Sequence, residues 1–139
     1  MTEKFFIAIP SSLRYIPGLI DYINEVLGFF YDEDVCDSCT MGFLEIIENA
    51  VKHGNLEKID LPVRISLACS EENLYAEVLD MGQGRSNFDE EKIPSPIQEE
   101  NLLNTSGRGI FIAKSLFDDV DIEHSSEGTK VILKKNIAQ

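Results

Sequence analysis

At 139 residues, with 43% hydrophobic and 27% charged side chains, the chain is sized for one domain, residues 1–139, with enough apolar material for a core. Twelve Lys and Arg against 25 Asp and Glu leave a formal net charge of −13 at pH 7, which excludes a broad basic face for nucleic-acid phosphates but leaves room for a local anion site. No apolar run reaches the ~18 residues of a membrane span, and the N-terminal apolar stretch is too short for a secretory signal, so a cytoplasmic protein with no membrane partner is expected.

Lys4 to Ile9 is short, apolar and closed by Pro10, which reads as a strand. Ser11 or Ser12 then caps a helix whose apolar residues, Leu13, Ile16, Leu19, Ile20, Ile23, Val26, Leu27 and Phe30, recur at three- and four-residue steps. Pro17 and Gly18 delay or kink its start. Asp32 or Asp34 caps a second helix running to about Gly54, where His-Gly-Asn is a stop. Cys36 and Cys39 form a C-x-x-C in its first turns, a pattern of redox and zinc sites. The flanks supply no second ligand pair, and with Cys69 the cysteines are odd in number, so reduced thiols packed on a helix face are expected.

Beyond Pro62 the pattern alternates: Val63 to Cys69, a Glu71-Glu-Asn turn, then Leu74 to Asp80, a hairpin. Arg85 to Ser106 is polar, with isolated apolar residues, and reads as a lid or a disordered segment. Gly107-Arg-Gly opens an apolar helix from Ile110. A second hairpin, Val120 to His124 and Thr129 to Lys134, ends the chain. Consecutive helices and paired hairpins predict an α+β, two-layer α/β sandwich, its sheet mixed or mostly antiparallel with helices on one face. A doubly wound nucleotide fold would instead alternate strand and helix.

Four short motifs follow in order. Glu45 and Asn49, with His53 four residues on, stack a carboxylate, an amide and an imidazole along one helix face. An amide oxygen suits Mg²⁺ and a carboxylate one turn away can accept a hydroxyl proton, though polar pairs at this spacing are ordinary on solvated helix edges. Asp80-Met-Gly-Gln-Gly, with glycines at 82 and 84, follows a strand; the aspartate can accept from an exocyclic amine, and the motif reads equally as a turn. Gly107, Arg108 and Gly109 at a helix start leave backbone N–H groups for an anion, with a guanidinium beside them, or serve geometry alone. Glu127-Gly-Thr129 is by itself a turn.

Taken as an ordered set, these motifs resemble the N, G1, G2 and G3 boxes of the ATPase superfamily shared by gyrase B, Hsp90, histidine kinases and MutL. Glu45-Ile-Ile-Glu-Asn-Ala-Val-Lys-His-Gly and Ser106-Gly-Arg-Gly-Ile-Phe-Ile-Ala-Lys-Ser-Leu-Phe-Asp-Asp-Val are most similar to the anti-sigma-factor serine/threonine kinases of bacterial stress and sporulation switches. The resemblance implies a Bergerat-type ATP-binding fold with an ATP lid at about 85–106. It implies that Asn49 binds Mg²⁺, Glu45 acts as base and Asp80 reads the adenine amino group. Gly82 and Gly84 would shape the adenine pocket, Gly107, Arg108 and Gly109 the phosphate site, and Thr129 would add a hydrogen bond near the base. It further implies a homodimer that sequesters a sigma factor and phosphorylates a serine on an anti-anti-sigma (STAS-type) protein. The alternative is a non-catalytic ATP-binding module that gates a partner surface.

One feature opposes a triphosphate. The 85–106 segment carries Asp89, Glu90, Glu91, Glu99 and Glu100 against Arg85 and Lys92, so Mg²⁺, the helix N-terminus and Arg108 have to outweigh its field. With no P-loop lysine pattern, phosphate binding falls to backbone amides and metal.

Overall fold

The computed structural model describes residues 1–82 and 105–137. Five strands form one sheet in the order β1-β2-β3-β5-β4: β1 (Glu3–Pro10), β2 (Pro62–Cys69), β3 (Asn73–Leu79), β4 (Asp119–Ser125) and β5 (Gly128–Asn136). All four pairings are antiparallel, so the expected mixed or antiparallel sheet is realised as the second of these. The helices are α1 (Ile16–Gly28), α2 (Glu33–Asn49) and α3 (Thr105–Leu116).

Period-two alternation sends one face of the sheet to the helices. Val63, Ile65, Leu67 and Cys69 of β2, Leu74, Ala76 and Val78 of β3, and Val131 and Leu133 of β5 are buried in one cluster with Ile23 and Leu27 of α1, Phe43, Ile46 and Ile47 of α2, and Ile110 of α3. Each Val, Leu, Ile or Phe among them contributes roughly 1.5–3 kcal/mol by leaving water. Phe6, 77% exposed on β1, marks the opposite face, where a recess of about 430 Å³ is lined by Phe6, Ala8, Arg64, Ser66, Glu77 and Leu79.

Local signals set the helix ends. Ser12 accepts from Arg14 N–H and opens a 3₁₀ turn, Leu13–Tyr15, so Pro17 falls in the first turn of α1, where its missing N–H is not needed. Asp32, not Asp34, caps α2: its Oδ1 accepts from Val35 N–H at 2.9 Å. α3 begins at Thr105, two residues before the expected Gly107, and packs along α2. Glycine costs a helix only about 1 kcal/mol, which such packing outweighs, so Gly107 and Gly109 lie inside the first turns instead of ahead of them. Apart from Thr105 and Ser106, the expected lid lies outside the described residues.

Candidate functional site

The C-terminal turns of α2 bring the first motif to the edge of the core. Asn49 is 5% exposed and Glu45, one turn earlier, is half-buried. Two contacts seat α3 on this helix. Phe117 meets Phe43 edge-on at 5.4 Å between ring centroids, and at the other end Gly109 lies so close that an added Cβ would stand 2.5 Å from Asn49 Nδ2. Gly109 is therefore needed for close approach, which places the start of α3 against the Asn49 amide.

Past Asn49 the helix widens into a π turn, Ala50–Gly54, in which Asn55 N–H donates to Ala50 C=O at 2.8 Å. Such turns interrupt α-helices frequently at functional sites. The stack expected at strict four-residue spacing thus holds for Glu45 and Asn49, while His53 follows the wider geometry. His53 Nε2 is buried and without a partner among the described residues. Burial, and then the Lys52 charge, hold its imidazole below the usual 6.5 against the opposing pull of Glu57.

Asp80 stands at the end of β3, 6% exposed. Its Oδ1 accepts from Gly82 N–H at 2.7 Å and from Thr129 N–H at 3.2 Å, and its own N–H donates to Thr129 C=O at 2.9 Å. The second oxygen, Oδ2, carries no hydrogen bond among the described residues. It lies over Gly54, where an added Cβ would overlap it. Gly128, at φ +143°, passes against the Asp80 carbonyl in the same way. Burial raises the Asp80 pKa, while the Gly82 and Thr129 amides and then His124 hold it down. The result is a carboxylate fixed on one oxygen, with the other seated in the gap that Gly54 leaves and carrying no hydrogen bond among the described residues.

The second hairpin closes this corner. Thr129 is 2% exposed and its Oγ1 lies 3.1 Å from His124 Nδ1. Asn49 and Gly109 meet at the α2–α3 contact, with Glu45 one turn earlier on α2, and Asp80, Gly82 and Thr129 meet at the ends of β3 and β5. Gly54, between the two groups, links the π turn to Asp80. Gly107 and Arg108 lie in the first turns of α3, and Gly84 lies outside the described residues, as does the Arg108 side chain. Sequence reasoning passed over Gly54, Asn55 and Ser11, which the fold brings to the same corner. The only signal for the first two was a His-Gly-Asn read as a helix stop.

This arrangement fits a purine nucleotide with a divalent cation. Asp80 offers an anionic acceptor for an exocyclic amine, and the nearby Asn49 side chain carries a hard amide oxygen. Gly54, in the turn that follows Asn49, is the residue that meets Asp80.

The model of the histidine kinase-like ATPase domain matches residues 9–135. The anti-sigma F factor of Heyndrickxia coagulans is 34% identical over 96 residues, 68% of this chain and 65% of that protein, so the match spans just under two thirds of that relative. The serine-protein kinase RsbW of Listeria monocytogenes is 25% identical over 146 aligned positions, 99% of this chain and 89% of that protein. The crystal structure of the RsbU and RsbW domains of a Mycobacterium tuberculosis protein superposes with a TM-score of 0.70 at 19% identity over 96% of this chain and 32% of that one, a likeness of fold. With the family model matched from the end of β1 to the end of β5, the chain belongs to the histidine kinase-like ATPase domain family.

Proposed function

We propose that the chain is an ATP-dependent anti-sigma-factor serine/threonine kinase of the cytoplasm, which as a homodimer sequesters a sigma factor and phosphorylates a serine on an anti-anti-sigma (STAS-type) protein. The observation that carries the ATP site is the Asp80 carboxylate, tied down on Oδ1 and open on Oδ2 over Gly54. The names of the relatives, anti-sigma F factor and serine-protein kinase, support the activity and the sigma-factor partner.

In this reading Asp80 accepts from the adenine amino group, Gly82 and Gly84 shape the space beside it, and Thr129 adds a hydrogen bond near the base. Asn49 ligates Mg²⁺, and Gly107, Arg108 and Gly109 face the phosphates at the positive end of α3. Bound Mg²⁺ supplies charge neutralisation at the transferring phosphoryl group. Glu45, one turn from Asn49, takes the proton of the attacking serine hydroxyl. Positioning and charge stabilisation provide most of the rate in such a transfer.

Transfer of radiolabel from γ-labelled ATP to a STAS-type protein tests this directly. Wild type should label the partner, Asn49→Ala should lose both nucleotide and transfer, and Glu45→Ala should keep nucleotide and lose transfer. Undiminished labelling by Glu45→Ala would refute the base. Mg²⁺-ATP binding without any labelling of a bound partner would replace the kinase with a nucleotide-gated binding module.

A further inference from the structure

Asn55, the residue that closes the π turn, is fully buried, and its side chain is the meeting point of three otherwise separate segments. Its Oδ1 accepts from Met81 N–H at 2.6 Å, directly beside Asp80. Its Nδ2 faces Ser11 Oγ at 2.9 Å, Pro62 C=O at 3.1 Å and Leu61 C=O at 3.2 Å. Chemistry fixes the amide orientation: only the oxygen can take the Met81 amide, and only the nitrogen can face two carbonyls. Ser11, also fully buried, turns its own proton to Leu61 C=O and so presents a lone pair to Asn55.

The surrounding backbone needs such a hold. Leu56 and Glu57, the next two residues, both lie in the left-handed region at φ +54° and +56°, and neither is glycine. Conformations of this kind persist where neighbouring contacts over-determine them. The side chain of Asn55 ties the end of this loop, Leu61 and Pro62, and the end of β1, at Ser11, to the turn that follows β3. Gly54, its neighbour, is the residue over which Asp80 Oδ2 lies.

We infer that Asn55 is a positioning residue for base recognition: by holding Met81 N–H it sets the register of the Asp80-Met81-Gly82 turn against the π turn, and so the direction in which the Asp80 carboxylate faces a purine. This rests on the proposal that Asp80 reads the adenine amino group. Asn55 itself touches no substrate in this account and acts through Asp80.

The test compares ATP with purine riboside triphosphate, which lacks the 6-amino group, by calorimetric titration of the full chain with Mg²⁺ at a temperature well below unfolding. Wild type should prefer ATP by about tenfold, the value of one hydrogen bond to a charged acceptor. In Asn55→Ala the preference should fall close to unity, because ATP loses affinity and the analogue loses little. Ser11→Ala removes one anchor of Asn55 without touching the turn and should lower the preference roughly two- to threefold, which keeps the test available if Asn55→Ala fails to fold. A variant that folds yet weakens both nucleotides equally, or neither, leaves the ratio at its wild-type value and overturns the positioning role. A wild-type ratio of one is a different failure: it removes the Asp80 reading, and the inference falls with it.

Discussion

Two places in the molecule bury polar chemistry, and they end in opposite states. Around Tyr31, Cys36, Cys39 and Cys69 every group is enclosed. Cys36 Sγ donates to Tyr31 C=O at 3.6 Å, and Tyr31 OH donates to Asn73 C=O at 3.0 Å. Burial pushes the Cys39 thiol up to about 12 and Cys69 up to about 11, so these sulfurs stay protonated and pack as apolar volume. At the Asp80 corner the carboxylate is just as covered, but Gly54 occupies the position where a side chain would displace it, and its Oδ2 carries no hydrogen bond among the described residues. Depth alone therefore does not make a site. The difference lies in whether an acceptor is fixed on one side and left without a hydrogen bond on the other among the described residues.

The largest effect expected at the open corner comes from Asn49→Ala, which should lower Mg²⁺-dependent ATP affinity by ~100-fold or more in calorimetry, in line with the loss of a metal-positioning group. Next, Gly54→Ala sets a methyl on Asp80 Oδ2. Overpacking of this kind costs about 1–3 kcal/mol in a denaturant melt, and ATP affinity should fall with it. Its counterpart at the closed end is Cys39→Ser, which buries a hydroxyl at a similar cost of about 1–3 kcal/mol. There the ATP affinity of the folded protein should not change. Equal losses of affinity in both variants would erase the distinction between the two regions.

Smaller effects concern protons. The raised Asp80 pKa means that, in the range just above 3.8, the folded state holds a proton that the unfolded chain has released, so this group lowers stability as pH rises through that window. Nucleotide binding runs the other way: ATP affinity should decline on acidification while the pH is still above the ordinary carboxylate range, and Asp80→Asn should flatten that decline. His53 gives the mirror case. Its lowered pKa makes the unfolded chain the better proton binder below 6.5, so stability rises with pH through that window. Stability measured against pH in wild type and His53→Gln should differ in slope only there. The thiols, by contrast, should react with an aromatic disulfide reagent at pH 8 only as the protein unfolds.

Much of this was legible from residue pattern. Apolar steps of three and four gave α1 and α2, alternation gave the two hairpins, and the order of weak motifs gave the nucleotide fold. The strand-end place of Asp80 and the helix-face place of Asn49 were legible because such positions can be read from local periodicity. Gly54, Asn55 and Ser11 were not, because their roles depend on segments far apart in sequence: Asn55 and Ser11 lie 44 positions apart, and Asn55 and Met81 lie 26 apart. The π turn escaped for a related reason. Its sequence, Ala50-Val-Lys-His-Gly54, is compatible with an ordinary helix end, and Asn55, which closes it, is held by segments distant in sequence.

The most direct measurement is a calorimetric titration of the wild-type chain with ATP and GTP, each with and without Mg²⁺, repeated on Asn49→Ala. Binding that favours adenine, strengthens with Mg²⁺ and is lost in the variant is the predicted result. Equal affinity for ATP and GTP, or no nucleotide binding at all, would contradict the claim that the corner between Asn49 and Asp80 is a built adenine-nucleotide site.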